Sequence, residues 1–175
     1  ARPADAVVLF GEESQVKQEV VGSLVNSVLG GDELSLARYA GKDVELKTIF
    51  DELRTVSMFS SGRLVVVDDG DDFVSQYRSQ LEDYVDKPAK GSLLVLDVKT
   101  FPQTTRLAKK LAGGKQGLAL ECKPLSGAKL TGWLIERAKS AHDLQLTRDG
   151  AALMIELAGA SMGLLTQELS KLASY

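Results

Sequence analysis

The 175-residue sequence holds a single cysteine and a single histidine. Cys122 alone cannot close an intramolecular disulfide, and so little cysteine fits a reducing compartment. Cys122 and His142 together fall short of the ligand set of a zinc site, so neither a metal nor a cofactor is expected. No apolar run approaches the roughly 20 residues of a membrane-spanning helix, and the N-terminus lacks a signal-peptide pattern. The chain therefore reads as cytoplasmic with no membrane partner. It begins Ala1-Arg2-Pro3 and its last helical pattern runs to Tyr175, so it reads as trimmed.

The hydrophobic share of 44% and charged share of 26% are those of a globular protein long enough to bury a core. A net charge of −3 argues against a surface that binds nucleic acid throughout. The charge is unevenly placed. Residues 68–86 carry seven acidic side chains and one basic, Arg78, whereas residues 99–129 carry seven basic ones opposed only by Glu121. Two solvated faces account for this; so does a basic segment turned toward phosphates or an acidic neighbouring subunit.

Short β-branched runs alternate with helical patterns. Strands are expected at 6–10, 36–39, 64–67, 92–98 and 118–122, with helices at 14–29, 44–56, 73–85 and 104–111 between them. Continuous apolar runs separated by helices predict a five-stranded parallel sheet covered on both faces. After Pro124 no strand returns. Three helices are expected at 126–141, 147–158 and 161–173, with Ser126, Thr147 and Ser161 as N-caps. The predicted organisation is an α/β domain over 1–124 and a small helical domain over 125–175, with Trp133 in the core of the latter.

Residues 49–69 concentrate the functional signal. At 100° per residue, Leu46, Ile49, Phe50 and Leu53 share one stripe. A helix continued to Met58 and Phe59 projects each roughly 130° from the centre of that stripe, on opposite sides. Two readings stand on periodicity: the pair reaches a partner protein, or the helix stops and the pair tucks under the sheet. Beyond Ser60-Ser61-Gly62, the run Leu64-Val65-Val66-Val67-Asp68-Asp69 spells a Walker B strand, whose acids would hold Mg²⁺ beside a nucleotide.

A phosphate-binding loop counted from Gly11 requires glycine at 16, lysine at 17 and serine or threonine at 18. The chain has Val16, Lys17 and Gln18. Valine resists the glycine conformation, and glutamine lacks the hydroxyl that holds magnesium. Glu12 and Glu13 at the helix entrance would repel a triphosphate. Nucleotide binding is not expected there, which leaves Asp68 and Asp69 as strand-end carboxylates facing solvent or capping a turn. Gly159-Ala160-Ser161-Met162-Gly163 matches a nucleophile elbow in spelling, but it joins two helices and follows His142 rather than preceding it. Ser161 is better read as a helix cap.

Four stretches together resemble the delta subunits of bacterial DNA polymerase III, the clamp-loader family. They are Leu9-Phe10-Gly11-Glu12-Glu13; Ser57-Met58-Phe59 followed by Arg63-Leu64-Val65-Val66-Val67; Leu130-Thr131-Gly132-Trp133-Leu134 with Arg137-Ala138; and Glu168-Leu169-Ser170-Lys171-Leu172. The resemblance implies an AAA+/P-loop-like sheet of order 5-1-4-3-2 and a lid-type helical domain. It also implies a non-catalytic subunit that binds and opens the ring-shaped sliding clamp (the beta subunit) during replication. Ser57, Met58 and Phe59 would be the clamp-binding element, with methionine conserving the volume of leucine. Gly11, Val16, Lys17 and Gln18 would be a degenerate P-loop, and Asp68 and Asp69 a degenerate Walker B pair. A C-terminal collar, absent from this chain, would join the other loader subunits, and primer-template DNA would be met in the assembled complex. Two alternatives are a nucleotide-binding enzyme using Lys17 and Asp68, and an inactive AAA+-like scaffold with another partner.

Overall fold

The computed structural model describes residues 4–55, 62–113 and 117–175. In chain order the elements are β1 (Ala6–Phe10), α1 (Ser14–Leu29), β2 (Leu36–Ala40), α2 (Leu46–Arg54), β3 (Arg63–Asp68), α3 (Asp71–Gln76), α4 (Arg78–Asp86), β4 (Ser92–Val98), α5 (Arg106–Gly113) and β5 (Gly117–Glu121). Helices α6 (Gly127–His142), α7 (Arg148–Ala158) and α8 (Met162–Ala173) follow. All five strands run parallel in the order β2-β3-β4-β1-β5, the expected 5-1-4-3-2 read from the other edge. Packing divides the chain into two units, 1–12 with 16–122 and 13–15 with 123–175.

The middle positions of the central strands are apolar because both sheet faces are covered, and polar side chains stand only at or near the ends of β3 and β4. Side chains alternate along each strand, so β3 sends Val65 and Val67 to one face and Leu64 and Val66 to the other. Val65, Val67, Leu94, Leu96 and Val8 pack beneath Leu46, Ile49 and Leu53 of α2, Phe73 and Leu81 of α3 and α4, and Leu107 and Leu111 of α5. On the opposite face Val7, Leu9, Leu64, Val66, Leu93 and Val95 meet Val21, Leu24, Val25 and Leu29 of α1. The edge strands β2 and β5 are only partly covered.

The helix expected over 73–85 is two helices that bend at Tyr77 (φ −108°, ψ 21°). The hydrogen bonds Tyr77 N–H to Phe73 O and Leu81 N–H to Tyr77 O, both 3.0 Å, cross the bend. The apolar spacing therefore runs through unbroken, and periodicity carries no sign of it. Helix α2 is shorter than its expected 44–56 span. Thr55 is extended, its amide and hydroxyl bonded back to Glu52 O and Asp51 O. The wheel projected to Met58 and Phe59 therefore lapses, since α2 ends at Arg54; Ser57, Met58 and Phe59 lie outside the described residues.

In the second unit Leu130, Leu134, Ala138, Ala151, Met162, Leu165 and Leu169 are buried, and Trp133 is half-buried. Thr147 and Ser161 cap α7 and α8, accepting from Gly150 and Leu164 amides, which accounts for Ser161 without any nucleophilic role. Ser126 stands at the start of α6, but its side chain makes no capping bond.

Gly11 ends β1 at φ +115°, where a Cβ would fall 2.3 Å from the Cys122 carbonyl oxygen. Its amide bonds Lys99 O at 3.0 Å, while the Cys122 amide bonds Phe10 O at 2.6 Å, so the chain threads between β4 and β5 with no room for a side chain. Gly11→Ala combines a left-handed backbone with a hard clash. Its expected cost is about 2–3 kcal/mol, read as a lower urea midpoint with unchanged slope.

Candidate functional site

Nucleotide chemistry in a sheet of this order belongs at the carboxyl ends of the strands, where β1 gives way to α1. Gly11 stands at that turn, and Val16, Lys17 and Gln18 fall in the first turns of α1. Val16 packs against the apolar face shared by α1 and the sheet, and Gln18 is exposed. The entrance to α1 is not open either: Glu13 Oε1 accepts the Gln15 amide at 3.1 Å.

Lys17 is in the expected place and fully engaged. Its Nζ donates to Asp97 Oδ1 at 2.6 Å and to the Val98 carbonyl at 2.8 Å. The lysine side chain is 8% exposed and the aspartate 26%. A buried ammonium requires a counter-charge and hydrogen-bond acceptors, and β4 supplies the charge and two acceptors. The sequence reading missed Asp97, because it is the polar residue near the end of an otherwise apolar strand. That position is itself the available signal: a lone acid there demands a partner.

Asp68 is also engaged. Arg38 on the neighbouring β2 holds it with a two-pronged contact, Nε to Oδ2 at 3.0 Å and Nη2 to Oδ1 at 2.6 Å. This contact raises the Arg38 pKa above its ordinary value despite partial burial. Asp68 remains a partly exposed strand-end carboxylate and gains a partner that the sequence did not show: register puts Ala40 opposite Asp68, which brings Arg38 within reach. Asp69 is exposed and takes a left-handed conformation (φ +49°), turning the chain toward α3. The residue that fastens this edge is Asp71. Its carboxylate accepts the amides of Lys99 (2.9 Å) and Thr100 (3.1 Å) and the Thr100 hydroxyl (3.3 Å), joining the loops after β3 and β4. Burial pushes its carboxyl up, but these hydrogen bonds outweigh that and hold it below the ordinary value.

The acidic and basic runs meet one another. Arg106 of α5 approaches Glu82 of α4 at 3.7 Å, and Lys110 pairs with Asp86 while donating to the Glu82 carbonyl at 3.0 Å. Adjacent helices on one sheet face thus neutralise part of a pattern that the sequence alone assigned to solvent, phosphate or a neighbour. Nearby, a cavity of about 100 Å³ is lined by Asp71, Val74, Arg78, Phe101, Pro102 and Thr105. That is below the roughly 300 Å³ at which small-molecule sites begin.

In sequence, residues 8–123 match the family described as DNA polymerase III, delta subunit. No curated protein matches the chain. In structure it is similar to the DNA clamp loader delta protein of Bacillus subtilis, with a TM-score of 0.72 at 21% identity over 97% of this chain and 53% of that one. It is also similar to the RuvB Holliday junction branch migration motor of Thermotoga maritima, with a TM-score of 0.54 at 16% identity over 95% of this chain and 53% of the other. A DNA polymerase III gamma subunit-related protein of the same organism gives a TM-score of 0.52 at 12% identity, over 98% and 73%. At these identities the likeness establishes an AAA+-like fold. The chain spans about half the length of the clamp loader delta protein and of RuvB.

Asp97→Asn leaves the Lys17 ammonium buried without its counter-charge, and a stability loss of up to about 3 kcal/mol is expected. Adding Lys17→Met to that variant removes the stranded charge and recovers part of the loss in the same urea titration. For Asp71 the lowered carboxyl contributes stability above the ordinary value of 3.8, and this is lost as pH falls through the lower folded-state value. Asp71→Asn is therefore expected to be about 1 kcal/mol less stable than the parent at pH 7. The difference should narrow below pH 3.8 in unfolding curves collected down the pH scale.

Proposed function

Because the chain belongs to the DNA polymerase III delta subunit family, we propose that it is a clamp-loader subunit that binds the ring-shaped sliding clamp, favours its opening, and hydrolyses no nucleotide itself. The engagement of Lys17 with Asp97 carries the second half of this reading. A lysine held by an internal carboxylate is unavailable to a triphosphate, and Asp68, held by Arg38, is unavailable to magnesium. The first turn of α1 adds Val16 and Gln18 where glycine and a hydroxyl belong.

The clamp-binding element in this reading is Ser57-Met58-Phe59, between the end of α2 and the start of β3. Two large apolar side chains entering a pocket on the clamp supply a few kcal/mol of binding. If they fit the opened ring better than the closed one, they shift the clamp's own equilibrium toward opening by that difference. Residues 1–124 act as the AAA+-like domain and 125–175 as its lid-type companion. Neighbouring ATPase subunits, joined through a collar domain, control exposure of the pair, and primer-template DNA is met in the assembled loader in the bacterial cytoplasm.

Met58→Ala with Phe59→Ala is expected to abolish binding to the cognate sliding clamp while leaving the unfolding curve unchanged. Undiminished clamp binding by that double variant would remove the pair from this role. Titration of Mg²⁺ and ATP into the parent should give no binding heat. A saturable signal that disappears in Lys17→Ala would instead establish a nucleotide-binding protein.

A further inference from the structure

The segment that carries Met58 and Phe59 departs from α2 after Arg54 and returns to the sheet at Arg63, and both ends are held by one polar bracket. Glu52, in the last turn of α2, receives Arg63 Nη2 on Oε1 and the Tyr39 hydroxyl on Oε2, the latter at 3.0 Å. Arg63 reaches further, its Nη1 donating to the Leu34 carbonyl at 3.3 Å. Glu52 and Arg63 side chains are each 20% exposed, which keeps their contact largely out of water. Burial together with the Glu52 contact raises the Tyr39 hydroxyl pKa above its ordinary value.

The main chain is fastened at the same two points. The Arg63 amide donates to Gly91 O at 3.1 Å, and Ser92 Oγ donates to Leu53 O at 2.5 Å, tying the end of α2 to the start of β4. Gly62 runs so close to that start that a Cβ would fall 2.4 Å from Gly91 O. Departure and return are therefore set by α2, β2, β3 and the lead into β4 together. Glu52 is the residue on which the side-chain contacts converge.

We propose that Glu52, with Arg63 and Tyr39, is a positioning cluster for the Met58–Phe59 contact. It fixes the two ends of the segment, so that less chain entropy is lost when the pair enters its pocket. This rests on the reading of Ser57-Met58-Phe59 as the clamp-binding element. The cluster touches no clamp; it acts through the segment it holds.

Glu52→Gln keeps the shape and a hydrogen-bond partner for Tyr39 but removes the ion pair. Two readouts are taken on the full 175-residue chain: clamp affinity, and amide exchange at Thr55, Gly62 and Arg63 in the free protein. Faster exchange at these three amides and about tenfold weaker clamp binding are expected. Tyr39→Phe, the milder variant should Glu52→Gln unfold, should move both readouts the same way by a smaller factor. Glu52→Gln is also measured in a Met58→Ala background, where its effect on affinity should shrink because part of the held contact is already lost. An undiminished effect there would overturn the positioning role, since a general structural loss or a direct clamp contact is indifferent to Met58. Unchanged affinity alongside faster exchange would overturn it as well, and unchanged exchange would show that the bracket holds nothing. If the parent chain binds no sliding clamp, the functional reading fails, and the exchange data still report whether the bracket restrains the two ends.

Discussion

Strands β1, β3 and β4 are covered on both faces, so side chains in their middles are shut off from water and only those near the ends reach it. Every polar group near their ends must find its partner at the edge of the sheet. That constraint organises the carboxyl edge of this molecule. The Gly70 amide bonds Asp97 O and the Gly41 amide bonds Asp68 O, each at 2.7 Å, so the loops after β2 and β3 are stitched to the strand beside them. Above this main-chain seam sit the carboxylates of Asp97, Asp68 and Asp71, each with a separate donor. The protein's own side chains thus complete this edge.

Such completion ties Lys17 into the fold. A buried lysine without a counter-charge is a liability. The Asp97 carboxylate supplies that charge from within the chain, so Lys17 cannot be released without stranding one.

Much of this fold was legible because its signals are strong and local. Uninterrupted apolar runs marked β1, β3 and β4, and the i, i+3, i+4 spacing of Val21, Leu24, Val25 and Leu29 marked α1. The bend at Tyr77 was invisible because Phe73, Tyr77, Leu81 and Tyr84 keep one spacing straight through it. The defects of the first loop could be counted from Val16 and Gln18, but the partners of Lys17 and Asp68 could not. Asp97 lies 80 positions from Lys17 and Arg38 lies 30 from Asp68. Parallel register of β2 and β3 brings the second pair together, and the packing of α1 on the sheet brings the first; neither is a property of one element alone. The opposed charge runs of α4 and α5 were read as separate faces for the same reason: their neutrality belongs to the packing.

Parallel strands give the sheet two chemically different rims. The completed edge of Lys17, Asp68, Asp71 and Asp97 lies where strands finish, whereas the bracket of Glu52 and Arg63 lies where β3 begins. Between them runs β3, six residues or about 20 Å of chain, paired on one side to β2 and on the other to β4. A strand bonded on both flanks and packed above and below is a stiff member: it resists stretching and shear far better than a loop or a lone helix. Load applied at the Arg63 rim would be carried into the whole sheet rather than absorbed near the point of contact. For load along β3, the sheet thus has the character of a strut.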